Sequence, residues 1–209
     1  MKRFISPPLL IALTAAVAAI AVSAGVAWYQ LASGGKTSTM DSTLVTPQVR
    51  IGGPFQLINH RGETVSEADF KGKFMLAYFG YSFCPDVCPL DNSRNVEAID
   101  ILESRGQMVT PVFISIDPNR DTPDVVGDFA ANLHERMIGL TGSPEQVKAA
   151  SKAYKTYFKR QEGDEDYYLI DNSTFSYLVF PEDGFVEFFR RDLTPEDMAD
   201  RIGCFLDKM

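Results

Sequence analysis

An unbroken apolar run, Phe74-Met75-Leu76-Ala77-Tyr78-Phe79-Gly80-Tyr81, leads into Cys84-Pro85-Asp86-Val87-Cys88, after which the residues from Leu90 to Leu102 take up helical spacing. The run has the composition of a buried strand, so two thiols stand where a strand hands over to a helix. At a helix N-terminus the free N–H groups and the macrodipole favour negative charge, which lowers a thiol's pKa and populates the thiolate. The thiolate binds soft metals and attacks disulfides, so both chemistries are open to this pair. A structural bridge more often closes a longer loop, which makes this a reactive pair. Asp86, between the thiols, is a hard carboxylate and reads as loop solvation, while Pro89 suits the first position of the helix.

The rest of the chain alternates strand and helix signals. Phe55–Ile58 and the segment after Gly62 flank Asn59-His60-Arg61-Gly62, which has hairpin-turn composition. A buried strand at Met75–Phe79, a helix over Leu90–Ser104 and a strand at Val109–Ile116 make a parallel crossover. Thr122-Pro123 and Ser143-Pro144-Glu145-Gln146 are helix-start signals, the first for a helix to Leu133, the second for one through Val147, Ala150, Tyr154 and Phe158. Strands are expected at Tyr167–Ile170, Phe175–Phe180 and Phe185–Phe189, the last two joined by a turn at Pro181-Glu182-Asp183-Gly184, and Thr194-Pro195 opens a final helix. This order predicts an α/β fold, a mixed sheet with helices on both faces. A cysteine pair after the first crossover strand is the thioredoxin-like arrangement, with an N-terminal β-hairpin and inserted elements added. Three residues separate the thiols here, where the dithiol oxidoreductases of that fold have two.

The N-terminus implies a membrane anchor. No charge occurs from Phe4 to Gly35, and Leu9–Trp28 is an apolar run preceded by Lys2 and Arg3, longer than a secretory signal core. The expected organisation is a short cytoplasmic N-terminus (1–8), one transmembrane helix (9–31), a Ser/Thr/Gly-rich tether (32–49) and a thioredoxin-like domain (50–209) that carries the two thiols. Lys2 and Arg3 stay on the cytoplasmic side, which places the domain outside the inner membrane. All 28 acidic residues follow Gly35, as do all 20 basic ones except Lys2 and Arg3, so the domain is more acidic than the whole chain at −8. Nucleic acid and anionic lipid are therefore poor partners. With 45% hydrophobic residues and 15 Phe the domain has material for a core without disulfide staples.

Four segments together resemble the Sco/SenC family: Tyr78-Phe79-Gly80-Tyr81-Ser82-Phe83-Cys84-Pro85-Asp86-Val87-Cys88-Pro89, Ser115-Ile116-Asp117-Pro118-Asn119-Arg120-Asp121-Thr122, Ile138-Gly139-Leu140-Thr141-Gly142, and Tyr168-Leu169-Ile170-Asp171-Asn172-Ser173. The resemblance implies a membrane-anchored, thioredoxin-fold copper chaperone for the binuclear copper site of cytochrome c oxidase. It implies Cys84 and Cys88 as copper ligands, a copper-receiving oxidase subunit as partner, and a copper donor or thiol reductant upstream. The implied location is the inner membrane, single-pass, with the domain in the periplasm, or in the intermembrane space if mitochondrial. The family's third ligand is a histidine, and this chain has Asn172 in its place. A neutral, hard amide oxygen suits copper poorly, so Cu(I) held by two sulfurs is favoured over Cu(II). The same two cysteines would also serve a thiol–disulfide oxidoreductase, or a redox sensor that needs no turnover.

The remaining candidates have plainer readings. Cys204 is expected to be a buried small hydrophobe on the last helix, and Met75, Met108 and Met137 to belong to the core. His60 falls in a solvated turn. His134 ends a helix, where an imidazole interacts with the dipole, with metal ligation as its alternative. Asp117, Arg120 and Asp121 are expected to form a charge network that fixes their loop.

Overall fold

The computed structural model describes residues 51–164, 167–180 and 184–208. The expected cytoplasmic N-terminus, anchor and tether lie outside the described residues, among which no helix is long and apolar enough to cross a membrane. The expected hairpin is β1 (Gln56–Asn59) against β2 (Thr64–Ser66), followed by a 3₁₀ turn at Glu67–Phe70. Next come β3 (Phe74–Gly80), α1 (Val87–Ser104) and β4 (Val109–Ser115), with β3 and β4 parallel as the crossover requires. Helix α2 (Pro123–Leu133), strand β5 (Ile138–Thr141) and helix α3 (Pro144–Tyr154) follow. The chain closes with β6 (Phe158–Arg160), β7 (Ile170–Asn172), β8 (Ser176–Phe180), β9 (Gly184–Phe189) and α4 (Pro195–Leu206).

Seven strands form one mixed sheet in the order β2-β1-β5-β4-β3-β8-β9, and β6 and β7 pair separately. The three central strands are mutually parallel, and both flanks are antiparallel. Pro111 is tolerated in β4 because β5 begins only opposite Val112, so at Pro111 one side of the strand needs no donor. Alternate residues of β3 face opposite layers. Leu76 joins Ile99, Leu102, Met198 and Ile202 of α1 and α4, while Phe79 packs against Tyr154 of α3, the rings tilted with centroids 5.2 Å apart. Each such side chain, once buried, contributes about 1.5–3 kcal/mol. All seven residues of β3 are buried, which fixes the direction in which the strand delivers the two cysteines.

Caps explain where the helices start. Thr122, Ser143 and Thr194 each accept a hydrogen bond from the backbone N–H three residues on, and a proline follows each of them. Three sequence expectations shift. Helix α1 begins at Val87, not Leu90, so Pro89 is its third residue, where an amide hydrogen is still not needed. Helix α3 stops at Tyr154 because Lys155 takes the left-handed conformation, φ 55°, and Phe158 opens β6 instead of extending the helix. The strand expected at Tyr167–Ile170 lies at Ile170–Asn172. Of the turn expected at Pro181–Gly184, only Gly184 is among the described residues, where it opens β9.

Candidate thiol and metal site

Cys84 and Cys88 come together as the sequence implies. Both are free thiols and both are buried. Asp86, exposed and at the N-cap of α1, offers no side-chain cap; the Cys84 sulfur takes that role, accepting the Cys88 N–H at 3.4 Å. This is a consequence of the three-residue spacing. It puts Cys88 in the first helical turn, with its amide aimed back at the preceding sulfur.

The two thiols are displaced in opposite directions. The Cys88 side chain donates to the Cys84 sulfur, and with help from the N–H groups of Asp86 and Cys88 and from the Tyr81 side chain it brings the Cys84 thiol down to about 5. Cys88 is pushed up, first by that hydrogen bond with Cys84 and then by burial. At neutral pH the pair therefore holds one thiolate and one thiol, with the proton on the deeper sulfur. Burial, with the nearby Cys84 charge adding to it, raises the Tyr81 phenol to about 12, so Tyr81 remains a neutral donor. Its oxygen accepts the Ile170 N–H at 3.2 Å, which ties the site to β7.

Asn172, on β7, reaches the same corner of the sheet. Its amide nitrogen donates to the Phe79 carbonyl at 2.9 Å and to the Ser173 carbonyl at 3.5 Å. The nitrogen end is thus committed to backbone oxygens, and only the hard amide oxygen remains as a lone-pair donor. Two sulfurs without an imidazole are a soft donor set, suited to a monovalent soft ion in low coordination.

The expected charge network is present and sits against the cysteine loop. Asp121, fully buried, accepts the Ser82 N–H at 3.1 Å, the Ser82 hydroxyl, and the Ser115 hydroxyl at 2.6 Å. Asp117 pairs with Arg120 at 2.5 Å and accepts the Tyr168 hydroxyl at 2.5 Å. The Arg120 and Arg160 guanidinium carbons lie 3.6 and 3.7 Å from the Tyr168 ring centroid. Two groups that close cannot share a face, so the ring is sandwiched between them. Arg120 also lies 5.1 Å from the Phe83 ring, and Phe83, adjacent to Cys84, is 54% exposed.

Other candidates fall elsewhere. His134 caps α2 as expected, but its Nε2 faces Asp100 at 3.4 Å and Glu103 at 3.5 Å on α1. Asp100 lies twelve residues along the helix from Cys88, about 18 Å at 1.5 Å per residue, so His134 cannot complete the thiol site. Its Nδ1 accepts the Arg136 N–H at 3.0 Å, and Arg136 also pairs with Glu103. A metal-bound imidazole keeps its proton on the other nitrogen, which is here an acceptor, so the cluster is a hydrogen-bonded clamp between helices. Cys204 is exposed, and Met108 is 55% exposed, both contrary to expectation; Met75 and Met137 are core, and His60 is exposed. Sequence reasoning missed Tyr78 and Tyr81 as neighbours of the sulfurs, and Asp91 as the acceptor of the Tyr78 hydroxyl. Asp91 carried a signal, an acidic residue three positions from Cys88 on the same helical face.

Comparison with known proteins accounts for this arrangement. Residues 45–207 match the SCO1/SenC family. The chain belongs to that family. It is 52% identical over 160 residues to protein SenC of Rhodobacter capsulatus, covering 77% of this chain and 72% of that one. Among solved structures it resembles Arabidopsis thaliana ScoI with copper bound, with a TM-score of 0.72 and 39% identity, covering 76% of this chain and 99% of the other. It also resembles BsSco, described as having a disulfide switch and as a member of the Sco family of cytochrome c oxidase assembly proteins. That TM-score is 0.60 at 25% identity, covering 76% and 92% of the two chains. The α/β thioredoxin-like architecture expected from the sequence is the architecture of these Sco structures.

Proposed function

We propose that this chain is a membrane-anchored copper chaperone that takes Cu(I) on Cys84 and Cys88 and passes it to the copper-receiving subunit of cytochrome c oxidase. The observation that carries this reading is the sulfur pair itself: two free, buried sulfurs in mutual hydrogen-bonding contact, with the Cys84 thiol lowered by its donors. A soft monovalent ion needs little more. A relative solved with copper bound supports the cargo, and a relative described as an oxidase assembly protein supports the destination. Exposed Phe83 and Leu169 give a partner apolar surface close to the thiols.

The anchor over 9–31 and the tether over 32–49 hold the 50–209 domain at the outer face of the inner membrane, in the periplasm or the intermembrane space. The uncharged run behind Lys2 and Arg3 supports that placement. Asn172 makes Cu(I) the favoured state.

Copper stoichiometry of the reduced full chain in anaerobic buffer tests the proposal. One Cu(I) per chain is expected, lost in Cys84→Ser and in Cys88→Ser. Copper retained by a variant lacking both thiols refutes it. In Asn172→His, Cu(II) affinity rises; an unchanged affinity refutes the role given to Asn172.

The opposed displacement of the two thiols favours a second reading, thiol–disulfide exchange. Cys84 attacks a partner's disulfide as the thiolate, and Cys88 resolves the mixed disulfide, leaving the partner's cysteines reduced and ready for copper.

A further inference from the structure

The two sulfurs are held by different kinds of structure. Cys88 is 0% exposed in the first turn of α1, where its carbonyl accepts the Asn92 side-chain amide at 2.8 Å. Cys84 closes a turn: its N–H donates to the Tyr81 carbonyl at 3.2 Å, which leaves Ser82 and Phe83 as the two central residues. The amide of the first central residue finds no acceptor inside such a turn. Here it is taken by Asp121, 39 positions along the chain.

Asp121, 0% exposed, accepts the Ser82 N–H at 3.1 Å and the Ser82 hydroxyl as well, so one carboxylate grips both donors of a single turn residue. Its Oδ2 also accepts the Ser115 hydroxyl at 2.6 Å, at the end of β4, and its carbonyl accepts the Thr141 hydroxyl at 2.7 Å, at the end of β5. One residue thereby gathers the chain just past β3 and the ends of two neighbouring strands. The turn is pinned to the sheet.

Stability alone is a poor account of this carboxylate. Its sequence neighbour Arg120 pairs with Asp117 instead. Burial pushes the Asp121 carboxyl up, its donors Ser115 and Ser82 oppose that, and Asp117 adds a second negative charge nearby. A buried charge without a paired cation is a costly way to tie strands together, and apolar side chains of like volume often serve as well. Apolar packing cannot, however, fix the direction of a turn through its amide and hydroxyl at once. Phe83, the other central residue, is 54% exposed, so burial does little to hold it. With Cys88 fixed on the helix, the separation of the sulfurs depends on where the turn delivers Cys84, whose sulfur meets the Cys88 N–H at 3.4 Å.

We propose that Asp121 is a positioning residue for copper: by clamping Ser82 it holds the Cys84 sulfur where one Cu(I) is shared with Cys88. This rests on the copper reading above.

The test titrates the reduced full chain with Cu(I) in anaerobic buffer against a chromogenic Cu(I) chelator, alongside denaturant unfolding of the copper-free chain. Asp121→Asn, which offers one acceptor oxygen where two stood, lowers Cu(I) affinity about tenfold, the lower end of the loss when outer partners of metal ligands are removed. Ser82→Ala, at a half-buried position, lowers it as well and decides the matter if Asp121→Asn does not fold. The double variant binds no more weakly than Asp121→Asn alone, because both changes release the same clamp. Thr141→Val removes the donor to the Asp121 carbonyl but leaves the carboxylate joined to Ser82; it loses stability and keeps wild-type affinity. A purely structural role makes affinity follow stability in every variant. Unchanged affinity in Ser82→Ala, or an equal fall in Thr141→Val, overturns the proposal. A wild-type chain that takes up no Cu(I) overturns the copper reading itself and this proposal with it, which is a different result.

Discussion

Replacing Cys88 by Ala removes the largest single cause of the low Cys84 pKa while leaving the Asp86 and Cys88 backbone donors and the Tyr81 hydroxyl in place. A hydrogen bond to a charged acceptor is worth about 1.5–3 kcal/mol. At about 1.36 kcal/mol per pKa unit, its loss raises Cys84 by about one to two units from its starting value of about 5. Thiolate ultraviolet absorbance, recorded against pH on the copper-free chain with Cys204→Ser to silence the exposed thiol, reads the midpoint directly. Iodoacetamide alkylation of Cys84 gives a second reading. Cys88→Ser keeps a donor at the same position, so its midpoint moves less than that of the alanine variant. A midpoint that stays put or falls in Cys88→Ala, or an equal shift in both variants, refutes the reasoning. The sign of the linked stability also follows. Folded Cys84 ionises below an unfolded thiol, so its contribution is full above the ordinary thiol range and is lost as pH falls through about 5. Copper-free wild type gains stability from this group as pH rises across that window, and Cys88→Ala gains less. Cys88, raised in the fold, acts in a separate window: its contribution declines only as pH rises past the ordinary thiol range.

Gly80→Ala drives a methyl into the Tyr78 ring, the Cys88 sulfur and Phe113, none of which has room to withdraw; denaturant unfolding should show a loss of about 1–3 kcal/mol. No loss would mean that the β3 terminus is looser than its contacts indicate. Asp121→Asn replaces a two-oxygen acceptor of the Ser82 and Ser115 donors by a group with one, at a cost of about 1–3 kcal/mol in the same assay. Burial raises Asp121, so its wild-type contribution declines as pH climbs past the ordinary carboxylate range, and the variant should lack that decline. Arg120→Lys keeps the charge but loses the planar stack on Tyr168, so amide hydrogen exchange at Phe83 and Leu169 should quicken; unchanged exchange would deny Arg120 its part in joining the two loops.

The parts of this fold that announce themselves locally were legible in the sequence. Thr122-Pro123, Ser143-Pro144 and Thr194-Pro195 state their caps within two residues, and the β3 run is apolar at every position because both its faces are covered. What depends on partners far along the chain was not. Strand β5, Ile-Gly-Leu-Thr, is too short to show a period and exists because β1 and β4 pair with it. Strand β6 exists only against β7. At the site, spacing alone placed Cys84 and Cys88 at a helix start, but which sulfur keeps the proton depends on the contact between the two sulfurs, on the deeper burial of Cys88 and on the Tyr81 side chain beside Cys84. Cys204 was misread because its apolar neighbours in sequence, Ile202 and Phe205, point away from it around the helix, and Ile202 alone of the three is buried.

Copper uptake and disulfide exchange, taken together, make the same demand on this site. Each requires Cys88 to give up its proton, because a bound metal ion needs a thiolate and so does attack on a mixed disulfide. An imidazole at position 172 could act both as a ligand and as a base near neutral pH; an amide is neither. Asn172 is moreover turned so that its nitrogen serves the Phe79 carbonyl. Tyr81 is held neutral and already donates to Cys84, so it cannot take the proton either. Cys84 is the partner whose hydrogen bond most holds the proton on Cys88, so that proton leaves most readily once Cys84 is occupied by metal or by a partner's sulfur. A chain with asparagine at this position therefore offers a soft ion two sulfurs and no imidazole from residue 172, and Asn172→His should raise its Cu(II) affinity while its Cu(I) stoichiometry stays at one.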